Sequence, residues 1–128
     1  MSYYFTKAIN GSFEVAITKV AEELKKEGFG ILTEIDVKAT LKKKLDVDFH
    51  PYRILGACNP PFAFQALQTE DKIGTTLPWN VVIQEKTPGE VEVTAIDPVA
   101  SMAAVDNPTL RTIGEQVRAK LKKVIDNM

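Results

Sequence analysis

Asn80-Val81-Val82-Ile83-Gln84-Glu85-Lys86-Thr87-Pro88-Gly89-Glu90-Val91-Glu92-Val93-Thr94-Ala95-Ile96 is the stretch that decides the architecture. Proline followed by glycine at the centre of a turn supplies a fixed negative φ and then a positive φ, the pair of conformations that a type II turn requires. The flanking runs, 80–86 and 91–96, are rich in β-branched residues and read as strands, so the segment predicts an antiparallel hairpin. A tight hairpin excludes an all-parallel sheet, because parallel neighbours need a long crossover.

Upstream of the hairpin, residues 52–58 are apolar except for Arg53, too few for a typical helix, and predict a buried strand. Asn59-Pro60-Pro61 stops it. Proline is favoured in a first helical turn, where its missing N–H would have no partner anyway, so a helix is expected over 61–69 with Phe62, Ala66 and Leu67 inward. Residues 71–76 then form a polar connection. At the N-terminus, Tyr3, Phe5, Lys7 and Ile9 alternate with Tyr4, Thr6 and Ala8, the period of a strand, which Asn10 and Gly11 end. Ser12 caps a helix whose apolar stripe is Phe13, Ile17, Val20 and Leu24, and Gly28 closes it in the left-handed conformation. A strand over 29–35 follows, and then a short helix capped by Asp36 with Val37, Leu41 and Leu45 on its apolar side.

Downstream, Asp97-Pro98 opens a loop, and Asn107-Pro108 starts a long closing helix with Leu110, Ile113, Val117, Leu121 and Val124 in one stripe. The alternation of strands and helices followed by a late hairpin predicts a single α+β domain over 1–128. Its sheet is mixed, mainly antiparallel, with helices on one face. The two longest helices, over 12–27 and 108–126, each have a single stripe to cover and are expected on the same face.

Composition narrows the function classes. Sixteen Lys plus Arg balance seventeen Asp plus Glu, so no global field favours nucleic acid or an anionic membrane. The lysine clusters at 25–26, 42–44 and 120–123 fall in last turns of predicted helices, where cations favour the helix dipole, and no aromatic residues interleave with them. No apolar run approaches the roughly 20 residues that span a bilayer, and residues 1–11 lack the pattern of a secretory leader, so a cytoplasmic chain is expected. Cys58 is the only cysteine, which excludes an intramolecular disulfide and a cysteine zinc site. Neither a metal nor another cofactor is expected. His50, the one histidine, has no His or Cys at ligand spacing and reads as an exposed loop residue.

Cys58 admits two readings. It ends a strand just before a helix start, where unpaired N–H groups and the dipole would lower a thiol's pKa and suit a nucleophile or redox sensor. Cysteine is also among the most buried residue types and in an apolar strand packs as a small hydrophobe. Asn59 either offers its amide to a ligand or caps the following helix.

The segment Tyr52-Arg53-Ile54-Leu55-Gly56-Ala57-Cys58-Asn59-Pro60-Pro61, preceded by Gly28-Phe29-Gly30-Ile31-Leu32-Thr33-Glu34-Ile35-Asp36, resembles the DUF302 family, a domain of unknown function in bacteria and archaea. Ile73-Gly74, Leu77-Pro78 before Asn80-Val81-Val82-Ile83, and Ala95-Ile96-Asp97-Pro98 extend the resemblance over nearly the whole chain. It implies a core topology similar to the saddle of the TATA-binding protein, β-α-β-β-β-β-α with inserted helices, and a homodimer. DNA binding does not travel with that fold. Relatives often carry a second cysteine where this chain has Trp79, so a two-cysteine scheme is not expected.

On function, the leading expectation is a non-catalytic homodimeric binding module. It would hold a small ligand or protein partner near Cys58, Asn59, Pro60 and the segment Leu77, Pro78, Trp79 and Asn80, because backbone amides at strand ends and helix starts often grip ligands. The alternative is a thiol-dependent enzyme or redox sensor using Cys58, with Asp97 as a nearby carboxylate and His50 approaching in space as a base. A purely structural subunit of a larger assembly is a third reading.

Overall fold

The Pro88-Gly89 turn closes the expected hairpin: β4 (Trp79–Thr87) pairs antiparallel with β5 (Glu90–Ile96), and Gly89 has a φ of +82°. In the computed structural model, which describes residues 2–128, three further strands complete the sheet: β1 (Tyr4–Asn10), β2 (Gly30–Asp36) and β3 (Tyr52–Cys58). The order is β1-β5-β4-β3-β2, and every neighbouring pair is antiparallel. The first strand therefore docks beside the last, at the edge opposite β2.

Helix α1 (Phe13–Lys26) carries the chain between those two edges, capped by Ser12, whose hydroxyl accepts from the Val15 N–H. Gly28 follows at φ +87°, the conformation that glycine adopts without a steric penalty. Helix α5 (Pro108–Asp126) begins at Asn107, whose side-chain oxygen accepts from the Thr109 and Leu110 N–H groups. Ala16, Val20 and Leu24 of α1 and Leu110, Ile113, Val117 and Leu121 of α5 enter one core with Val81, Ile83, Val91 and Val93 of the sheet. Each such large side chain contributes roughly 1.5–3 kcal/mol through burial. The two long helices thus share a face, as their stripes require, and Lys123 of α5 reaches Glu27 at the end of α1 over 3.4 Å.

Arg53 lies at the margin of this covered face, on a strand position that would otherwise bury an apolar side chain. Its guanidinium donates to Glu34 Oε1 at 2.8 Å, approaches Glu14 and Asp36 at 3.4 and 3.6 Å, and stands 5.6 Å from the Phe13 ring centre. The hydrogen bond with Glu34 is the main cause of its raised pKa.

Alternation puts the intervening residues on the opposite face. The register runs Thr6, Thr94, Val82, Ile54 and Ile35 in one row across all five strands, and every one is β-branched. Beside that row, Glu92, Gln84 and Tyr52 form another. A concavity of about 430 Å³ opens here, with Tyr4 and Ile96 at one side.

Several local expectations are corrected. Asp97-Pro98 does not open a loop: the Asp97 carboxylate accepts from the Val99 N–H and starts a one-turn helix, α4 (Pro98–Ser101). Residues 71–76 form a 3-10 helix, and α3 (Pro60–Thr69) starts one residue earlier than expected, at the first proline. Helix α2 (Val37–Leu45) buries none of its residues, and Leu45 is exposed because the helix leans on β2 and β3 rather than on the core. His50 is half-buried rather than exposed. It is hydrogen-bonded through Nε2 to Gln84 Oε1 at 3.0 Å and stacked on Phe49.

Candidate functional site

Where β3 runs out into α3 and β4 enters, the covered layer of the sheet leaves an apolar cavity of about 260 Å³. Its inner surface is Ala57, Ala63 and Trp79, all buried. Cys58, half-buried, stands at the strand end, and Leu77 and Pro78 approach from the segment leading into β4. Leu32 and Leu67 are exposed and mark the mouth. Leu67 was expected inside the core; it lies beyond the end of the sheet and faces the opening instead. The lining holds no carboxylate, imidazole, ammonium or guanidinium group.

Two prolines at the start of α3 fix the direction in which the chain leaves Cys58. Asn59, only 4% exposed, precedes them but makes no capping hydrogen bond. Its amide instead donates to the Glu27 carbonyl at 3.1 Å and packs on Gly28. It thereby ties the C-terminal end of α1 to the site, satisfying a carbonyl that the helix itself leaves open. On the other side, Gly56 lets Pro78 close down: a Cβ there would meet Thr33 Oγ1 and lie 2.6 Å from Pro78 Cγ.

Of the sequence-expected site residues, Cys58, Leu77, Pro78 and Trp79 converge on the cavity. Asn59 supports it from behind. Pro60 borders a separate shallow groove beside Gly28 and Phe29. Asn80 alternates onto the opposite face of the sheet and lines the concavity there. Asp97 continues the β4–β5 register toward Trp79, one strand beyond β4, but its carboxylate is engaged as the cap of α4 and by Arg118 Nε at 3.1 Å. Leu32, Ala57, Ala63 and Leu67 were missed. Ala63 and Leu67 sit four apart on α3 and could have been paired on one face, whereas Leu32 reaches the mouth through a register shift between Ile31 and Thr33 that no periodicity announces. Among the described residues no group of three or more His, Cys, Asp or Glu could hold a metal ion, and no helix is long and apolar enough to cross a membrane.

A family model described as a domain of unknown function, DUF302, matches residues 5–128. The chain belongs to the DUF302 family. Among solved structures it is similar to one described as the crystal structure of an uncharacterized conserved DUF302 protein from Bacillus stearothermophilus. The two are 27% identical, the match covers 98% of each chain, and the TM-score is 0.90. No curated protein matches the sequence. The α+β architecture with its antiparallel sheet is thus the architecture of a DUF302 domain.

Proposed function

We propose that this DUF302 domain is a homodimeric, non-catalytic binding module that takes a small apolar ligand in the cavity beside Cys58. The observation that carries the reading is the lining: an indole, a thiol and aliphatic side chains around about 260 Å³, just below the roughly 300–1,000 Å³ of drug-sized sites and so suited to a smaller molecule. Thiol catalysis is disfavoured by the same lining, which offers no group to take the thiol's proton. His50 precedes the far end of β3, about 20 Å from Cys58 by strand rise, and is bonded to Gln84.

Trp79 is the chain's one tryptophan, so its fluorescence reports on the cavity directly. Titration with toluene is expected to give a saturable change that Cys58→Phe, which fills the space, abolishes. A response unaffected by that substitution would defeat the cavity reading. Cys58 in the folded protein is also expected to react with iodoacetamide more slowly than after denaturation, and rapid alkylation of the folded chain at neutral pH would promote the thiol-enzyme alternative.

For the homodimer, the surface that suits a second copy is the uncovered sheet face. Its central rows present β-branched side chains and a single carboxylate, Glu92, already engaged by Gln84 Nε2 at 3.2 Å and the Thr94 hydroxyl at 3.4 Å. The face therefore offers nothing to attract a phosphate backbone and little to repel its own copy. Five strands about 4.8 Å apart and some 20 Å long give roughly 500 Å² in projection. Side-chain relief and the rim tyrosines bring this toward the about 800 Å² per partner of a standard interface. In sedimentation at micromolar concentration the parent chain is expected to be a dimer and Ile54→Lys/Val82→Lys a monomer. A parent monomer, or a dimer untouched by the two lysines, would count against this face.

A further inference from the structure

We infer that the molecule held beside Cys58 is a single-chain amphiphile, whose unbranched alkyl or acyl tail is longer than the cavity, enters it tail-first and leaves the polar head in water. The inference rests on the binding reading above and names the class of its ligand.

The wall excludes a polar group from the inside. The surface that the cavity presents is almost wholly apolar: its lining is aliphatic apart from the Cys58 thiol and the Trp79 ring, whose nitrogen is itself buried. A hydroxyl or carboxylate placed there would lose water and gain no partner. The polar end of a ligand therefore stays at the mouth, and what goes in is hydrocarbon.

The mouth argues for length. Leu32, on the bulge of β2, is 67% exposed, and Leu67, on α3, is 42% exposed. Phe64, 63% exposed, lies one helical turn before Leu67 and neighbours it on the helix surface. Single exposed leucines need no explanation, but here large apolar side chains of two elements flank one apolar opening. A compact ring that fits inside leaves them in water, whereas a chain passing between Leu32 and Leu67 covers both. A closed cavity of about 150 Å³ holds benzene, so one of about 260 Å³ takes on the order of ten carbons. A longer tail runs out over the leucines.

The test titrates the full chain, by calorimetry, with octyl, decyl and dodecyl maltoside, each below its micelle concentration, and with toluene. The disaccharide head is too large for the cavity, so the maltosides enter tail-first or not at all. Affinity is expected to rise about two- to fourfold with each added methylene through dodecyl, about fourfold being the effect of burying one completely. Cys58→Phe should abolish binding of maltosides and toluene alike. Leu32→Asn/Leu67→Asn, at exposed positions, should flatten the dependence on chain length. Toluene binding without maltoside binding, or an affinity flat from octyl to dodecyl, overturns the chain inference and leaves the apolar cavity standing. Binding of neither kind of probe overturns both readings. Maltoside binding that persists in Cys58→Phe takes place elsewhere on the protein and overturns the inference too. Should Cys58→Phe fail to fold, the chain-length dependence in the leucine pair still decides.

Discussion

Replacing Gly56 by alanine is expected to cost about 3 kcal/mol of stability and to lower the melting temperature by roughly 10 °C. The new Cβ would press on Thr33 Oγ1 from one side and lie 2.6 Å from Pro78 Cγ on the other. Thr33 can rotate its hydroxyl away. Pro78 cannot, because its ring is fixed to a backbone that leads directly into Trp79 and the core. The chain must therefore shift at the start of β4, and the cavity beside Cys58 opens with it. Removing the Thr33 hydroxyl, in Gly56→Ala/Thr33→Ala, should restore only a minor part of the loss. A single variant melting within a degree or two of the parent, or full recovery in the double, would show that Pro78 is not the constraint.

Asn59→Asp is expected to destabilise the fold by roughly 2–3 kcal/mol at neutral pH, and by much less in acid. The parent amide donates to the Glu27 carbonyl at 3.1 Å in a site only 4% exposed. A carboxylate there sets acceptor against acceptor at the negative end of α1. The same clash favours the protonated acid, which can donate to that carbonyl, so the folded-state pKa of the new side chain lies above its unfolded value of about 3.9. With the folded pKa raised, the penalty is absent below the unfolded pKa, grows as pH rises through the window between the two, and is complete above the folded one. The difference in melting temperature between variant and parent should therefore close as pH falls from 7 toward 4. A gap constant across that range would mean that the aspartate has turned away to cap α3 and that Asn59 does not hold the two helices together.

The fold was largely legible because each element carries its own punctuation. Ser12, Asp36 and Asn107 cap the helices they were expected to cap, and Pro88-Gly89 turns the hairpin. What failed were features set by neighbours. Asn59 stands at a cap position but bonds elsewhere, because the open carbonyl of Glu27 lies within its reach only in three dimensions. Asp97 was grouped with the thiol as a nearby carboxylate, yet its bonds are set by Val99 two residues on and by Arg118 on another helix. Half of the cavity was visible as two segments, Cys58 and residues 77–79. The other half was not, because Leu32 reaches it through a bulge and Ala63 and Leu67 through the angle at which α3 leaves the sheet.

The position of β1 beside β5 bears on how the molecule assembles. Strands β2, β3, β4 and β5 are each adjacent to the next in sequence order and form a meander that can zip up locally as the chain emerges. β1 is synthesised first but must wait for its partner: Thr6 meets Thr94, 88 positions away, and Lys7 reaches the Asp126 carbonyl at the end of the chain. Closing so distant a contact is the slow part of folding. Until it happens β5 has one open edge, a template for pairing with another unfinished chain. The N-terminal strand is thus the piece that seals the sheet, and the interval before it docks is when this domain is most exposed to self-association.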